Sequence, residues 1–244
     1  MSEYKSIDYI KFLIMALGLG FIFMCEGELS DAFNIANLDI LLKIVIIIGL
    51  LALIQKRGDF KIFNFNFSPL ILLLIFIPAI FSIVLQVCPL DFIPYPEYVA
   101  TVVIGTVTTA IWEELFFRYY GCSIFEENWK FRWYNILFLA IAFSSGHLFN
   151  MAFDGFTATF HQLIFTIGLG VFCLALYIHT KSIIPPIIAH FIVNSISDYY
   201  TVLATEEAQA MAYIGNLADP VLYIYVIVLI AVGFFILKKY NHLA

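Results

Sequence analysis

Residues 97–124 read EYVATVVIGTVTTAIWEELFFRYYGCSI. A run of this length, rich in Val, Ile, Ala and Thr, suffices to cross a hydrocarbon core, which takes about 20 mainly apolar residues. Yet Glu113, Glu114 and Arg118 lie well inside it. An ionisable group at the centre of a bilayer costs roughly 2.5–3.5 kcal/mol on insertion scales. Such groups persist where they are paired, face a wet cavity or perform chemistry. The rest of the chain decides that the surroundings are lipid. Of 244 residues, 63% are hydrophobic and 12% charged, and the mean hydropathy is +0.97. Soluble domains are about half apolar and about a quarter charged.

Outward from residues 97–124, comparable segments fall near 7–25, 39–54, 69–88, 133–150, 159–178, 183–203 and 217–237. Backbone polar groups in lipid must be satisfied within the segment, so these are expected to be helices. Alternating strands of barrel length are absent from the sequence. The expected fold is an all-α polytopic membrane bundle of about eight transmembrane helices, with residues 1–244 forming one domain. Proline punctuates the joints at Pro89, Pro94, Pro96, Pro185 and Pro186.

The charges order these segments. Lys5 and Lys11, then Lys56, Arg57 and Lys61, then Lys130 and Arg132, then Lys181, then Lys238 and Lys239 alternate with connections that hold no Lys or Arg. Those connections, near 26–38, 89–96, 151–158 and 204–216, carry Glu26, Glu28, Asp31, Asp91, Asp154, Glu206 and Glu207. That is the positive-inside pattern, and it predicts both termini on the cytoplasmic side. The alternating stretch DFKIFNFNF at 59–67 is expected to lie at the cytoplasmic interface.

Several classes are excluded or disfavoured. No basic patch interleaved with aromatics points to nucleic acid. The first apolar stretch lacks a small-residue cleavage site and runs into Glu26-Gly27-Glu28, so it is expected to be retained. Cys25, Cys88, Cys122 and Cys173 show no C-x-x-C spacing and read as packing residues. Cys25 and Cys88, near outer segment ends, leave a disulfide open.

The intramembrane polar residues sort by helical spacing. Glu114 and Arg118 are four apart and share a face, whereas Glu113 lies about 100° away around the axis. Phe143 and His147, and His190 and Asn194, are again four apart. Three helices with polar faces are best satisfied around one shared cavity. There, a carboxylate beside a neutral imidazole can deprotonate water, while a histidine and an amide can stabilise an oxyanion. Two histidines and one carboxylate, here Glu113, His147 and His190, also describe many catalytic zinc sites, so one divalent metal such as zinc is an open expectation. The H-E-x-x-H signature is absent, and Ser144 and Ser145 lack a G-x-S-x-G context. Water is therefore the expected nucleophile. His161 and His179 are expected at the interface, and Gly168 and Gly170 at a close helix contact.

At these residues the chain resembles the membrane-embedded protease family (CPBP or Abi) that joins type II CAAX prenyl endopeptidases with bacteriocin-processing and immunity enzymes. The family motifs E-E-x-x-x-R, F-x-x-x-H and H-x-x-x-N/D appear as Glu113-Glu114-Leu115-Phe116-Phe117-Arg118, Phe143-Ser144-Ser145-Gly146-His147 and His190-Phe191-Ile192-Val193-Asn194. The resemblance covers 113–194. It implies that Glu113 and His147 activate water, that His190 and Asn194 form the oxyanion hole, and that Glu114 and Arg118 support the site or place substrate.

The expected protein is thus an intramembrane endopeptidase in a bacterial or archaeal cell membrane, with a membrane-associated peptide or protein substrate and the lipid bilayer as partners. A transporter or proton-coupled channel is the alternative that buried acids and histidines invite. A non-catalytic bacteriocin-immunity protein of the same fold is another. Counting helical rise from the basic ends places Glu113 about 16 Å, His190 about 10 Å and His147 about 21 Å in. Access is therefore expected from the cytoplasm or laterally.

Overall fold

The computed structural model describes residues 6–86, 96–125, 129–198 and 218–243. Its secondary structure there is helical apart from one isolated bridge between Phe131 and Leu243. Helix α1 spans Ser6–Phe33, α2 Leu38–Arg57 and α3 Pro69–Gln86. Helix α4, Pro96–Glu114, passes through a π-helical turn at Leu115–Tyr120 into α5, Gly121–Phe125. Helix α6, Trp133–Ser145, ends in a 3-10 turn at Gly146–Asn150. Then come α7, Met151–Thr180, α8, Ile184–Asp198, and α9, Ala218–Lys239.

By length and apolarity, four stretches among the described residues are long enough to cross a membrane: Ile7–Phe33, Leu38–Arg57, Trp133–Thr180 and Leu222–Lys239. Pro69–Pro78 and Ile184–Ser197 are apolar but shorter. The 48-residue stretch is not one rod. Gly155 has φ +77 and ψ 173, outside the helical region, and contacts on either side of it are those of a hairpin. The Ser144 hydroxyl donates to the Leu163 carbonyl at 2.8 Å. A Cβ at Gly170 would lie 3.1 Å from Ala140 Cα, so α6 and α7 pack nearly backbone to backbone. Gly168 makes the equivalent approach to Val226 of α9. Both glycines therefore serve close packing, as expected.

Three boundaries differ from the sequence expectation, one being the start of α7, which begins at Met151 and takes in the expected connection 151–158. Helix α1 continues through Glu26, Glu28 and Asp31 to Phe33, because no proline interrupts that stretch. Helix α6 is shorter than a full crossing at 13 residues, the chain tightening into the 3-10 turn where Gly146 meets α1. Residues 199–203 of the seventh expected span, and Cys88 of the open disulfide, lie outside the described residues.

The basic connections gather at one end of the bundle. Ile183 N–H donates to the Ile62 carbonyl at 2.8 Å, and Phe131 N–H to the His242 carbonyl at 2.8 Å. Asn64 Nδ2 donates to the Lys181 carbonyl at 3.1 Å, Arg57 donates to Ser123 at 2.9 Å, and the Tyr119 hydroxyl donates to Asp59 at 2.8 Å. The stretch 59–67 is part of this tie: Phe60–Phe63 forms a 3-10 turn with Ile62 buried. Phe12, Ile54, Phe125, Phe131, Ile136, Ile183 and Leu237, all inaccessible or nearly so, fill the core behind it. Burial of such side chains contributes roughly 1.5–3 kcal/mol each in water, but between helices in lipid close packing does that work.

Candidate active site

The π-turn widens the helix at the E-E-x-x-x-R motif, within the bulky run Leu115–Tyr120; π-turns recur at functional sites. Arg118 Nε lies 2.9 Å from Glu114 Oε2, with side chains 1% and 0% exposed. The four-residue spacing thus produces the expected pair. The guanidinium also sits over the Phe143 ring, 4.3 Å from its centroid. A desolvated contact of this kind contributes about 2 kcal/mol.

His190 lies between the two glutamates. Its Nδ1 is 2.8 Å from Glu114 Oε1 and its Nε2 is 3.5 Å from Glu113 Oε2. The rotation that separates adjacent helical residues is what lets one imidazole, with nitrogens on opposite edges, touch both. Glu114, ion-paired to Arg118, accepts the Nδ1–H and so orients the ring. Nε2 is left facing Glu113. Glu113, expected to act with His147, lines the same cavities as that histidine and in addition faces His190.

His147 is carried by the 3-10 turn rather than by α6. Phe143 meets the His147 and His190 rings edge to face, each at 5.7 Å between centroids, so one aromatic ring spaces both histidines. Gln162 accepts from Asn150 Nδ2 at 2.8 Å through Oε1 and turns its Nε2 toward His147 Nδ1 at 3.4 Å. With Nδ1 accepting, a neutral His147 carries its proton on Nε2.

A cavity of about 470 Å³ brings together Glu113, His147, His190 and Asn194 with Thr109, His161 and Gln162. A second, about 350 Å³, shares Thr109, Glu113, His147 and Gln162 with it and is otherwise walled by α1, α2, Trp112, Phe117 and Phe143. Glu114 and Arg118 line neither. His161, expected at the interface, faces the first cavity. Gln162 and Asn150 were not singled out from sequence, although an uncharged amide in each of two apolar segments was the available signal.

Away from the shared wall, the first cavity runs to Asp154, Ala158, Ser197 and Leu222, and the second to Met24, Glu26, Asp39 and Lys43. Both therefore lead toward the acidic end of the bundle. The count of helical rise favoured the basic end. Depth along a helix does not by itself tell which end the packed aromatics fill.

The donor set does not assemble a three-ligand metal centre. Among the described residues no three His, Cys, Asp or Glu side chains converge to hold an ion. Glu113 Oε2 and His190 Nε2, 3.5 Å apart, are spaced like two ligands of one tetrahedral zinc with bonds of about 2.0–2.1 Å, but His147 does not join them.

Residues 95–196, which contain all three motifs, match the family described as type II CAAX prenyl endopeptidase Rce1-like. The stretch is CAAX-protease-like. No curated protein and no solved structure matches the chain. The kind of function that accompanies the Rce1-like match is intramembrane proteolysis. The Rce1-like stretch begins with α4 and ends within α8, so it contains every helix that carries a motif residue.

Proposed function

We propose that the protein is an intramembrane endopeptidase that hydrolyses a membrane-associated peptide with water held by Glu113 and His147. The observation that supports it best is the His190 ring fixed by Glu114 at 2.8 Å, with its other nitrogen 3.5 Å from Glu113, on the wall of a cavity large enough for an extended peptide segment. In this scheme His147 donates its Nε2–H to the oxygen of a water molecule. The Glu113 carboxylate takes a proton from that water as its oxygen bonds to the scissile carbonyl carbon. The carbonyl oxygen gains the negative charge and is stabilised by Asn194 and by His190, which donates from Nε2 in its imidazolium form. The Glu114 carboxylate balances that imidazolium. Collapse of the intermediate breaks the C–N bond, and Glu113 returns its proton to the leaving amine. Products are a new C-terminal carboxylate and a new N-terminus.

The scheme is written without a metal, because among the described residues no three-ligand set converges. The Glu113→Gln variant tests the scheme. It keeps the shape of the side chain and removes the base, so peptide profiles of membranes should lose the products of the wild type while the variant melts nearly as the wild type does. Identical profiles from the two proteins would argue against proteolysis.

A further inference from the structure

We infer that the substrate polypeptide reaches Glu113 and His147 from the non-cytoplasmic face of the membrane. This rests on the protease reading for what happens at Glu113, but not for the direction of approach. Three observations carry it. The basic connections, which the positive-inside rule places in the cytoplasm, are tied together at one end by the contacts among Arg57, Asp59, Ile62, Asn64, Tyr119, Ser123, Phe131, Lys181, Ile183 and His242. That end is filled by Phe12, Phe125, Phe131, Ile183 and Leu237, all 1% exposed or less. The cavity that does exist there, about 730 Å³ and bordered by Asp59, Tyr119, Trp129 and Lys181, contains none of the motif residues. The two cavities that do contain Glu113 and His147 lead to Asp154 and Ala158 in one case and to Glu26 and Asp39 in the other.

The chemistry at those mouths fits the same direction. Asp39 is paired with Lys43 at 3.1 Å, while the stretches 26–38 and 151–158, which hold Glu26 on α1 and Asp154 on α7, contain no Lys or Arg. A polypeptide that enters there is an exported peptide or the outer juxtamembrane stretch of a membrane protein. A cytoplasmic chain end presents itself at the packed end instead. Because both cavities meet at Glu113, the chain can extend to either side of the attacked bond, as internal cleavage requires.

Single-cysteine labelling of the full-length protein in cells tests the direction without measuring cleavage. In a background with Cys25→Ser and Cys88→Ser, Cys122 and Cys173 stay buried. Ala158→Cys on the first cavity and Glu26→Cys on the second should react with a membrane-impermeant maleimide in intact cells. Lys61→Cys, exposed at the basic end, should react only after permeabilisation. Size-exclusion profiles matching the parent protein establish that each variant is folded. The reverse pattern, or no reaction at 158 and 26 in either condition, overturns the inference. Labelling as expected, with peptide profiles unaffected by Glu113→Gln, would retain the direction and remove the protease.

Discussion

Replacing Glu114 by Gln changes one charge and no volume, yet two neighbours must respond. Glu114 is 0% exposed, holding Arg118 at 2.9 Å through one oxygen and His190 Nδ1 at 2.8 Å through the other. Arginine offers only donors. The amide oxygen of the variant must therefore face Arg118, which turns the amide N–H toward His190. Nδ1 then has to accept, so His190 loses the imidazolium form that the Glu114 carboxylate balanced and keeps a single proton, on Nε2. Losing one member of a buried ion pair costs about 3–5 kcal/mol. Arg118 keeps a neutral acceptor and the Phe143 face at 4.3 Å, which favours the lower end, about 3 kcal/mol. For a chain of this size, about 2–4 °C is lost per kcal/mol, giving a fall in Tm of about 6–12 °C. Turnover per folded molecule should drop by between about 10-fold and 10⁴-fold, the range for losing an orienting carboxylate. The assay is ¹⁵N NMR of histidine-labelled protein, with a melt and a turnover measurement on the same sample. A Glu114→Gln protein that melts with the wild type and keeps its proton on Nδ1 would refute this reasoning.

Two further predictions use other parts of the site. A Cβ at Gly20 would collide with the Gly146 carbonyl oxygen, whereas one at Gly18 meets nothing within 4 Å. Each Gly→Ala change gains about 1 kcal/mol of helix propensity. Gly18→Ala should therefore be neutral or mildly stabilising, while Gly20→Ala should displace the turn that carries His147 and lower both Tm and turnover. Equal behaviour of the two would show that the α1 contact does not position His147. As for metal, turnover should survive chelation in protein shown to be metal-free by elemental analysis. About one equivalent of zinc, with activity lost to chelator and restored by zinc, would replace the proposed water mechanism with a metal-assisted one.

The helical membrane architecture was legible because composition and the spacing of apolar runs are properties of single segments. The Glu114–Arg118 pair was legible for the same reason, both residues lying on one helix. What the sequence could not supply were relations between segments. That His190 is gripped by Glu114 while facing Glu113 depends on how α8 lies against α4, and no spacing within either helix encodes it. His147 looked like a residue of a long fifth span, but Gly146 and the close approach of α1 end that helix early. Gln162 and Asn150 were legible only as polar residues in apolar runs, and two amides draw less notice than a glutamate because burying them costs less. The direction of the cavities was not legible, because helical rise measures depth, whereas access depends on which end the aromatic side chains fill.

Helix α7 has a consequence for biosynthesis. From Gly168 to Ile178 every residue is buried, three turns with no face left for lipid, even though they belong to a stretch long and apolar enough to cross a membrane. Part of that enclosure comes from α9, since Val226 closes over Gly168 and Gly233 packs against Val171. Until α9 leaves the ribosome and is inserted, α7 has a flank exposed to lipid that it will later withdraw. The His242 carbonyl and ring then join Phe131 and Trp129, fastening the chain end to the link before α6. Chains stopped before residue 218 should insert but not mature, and quality control would meet them as integrated proteins with an unfinished centre.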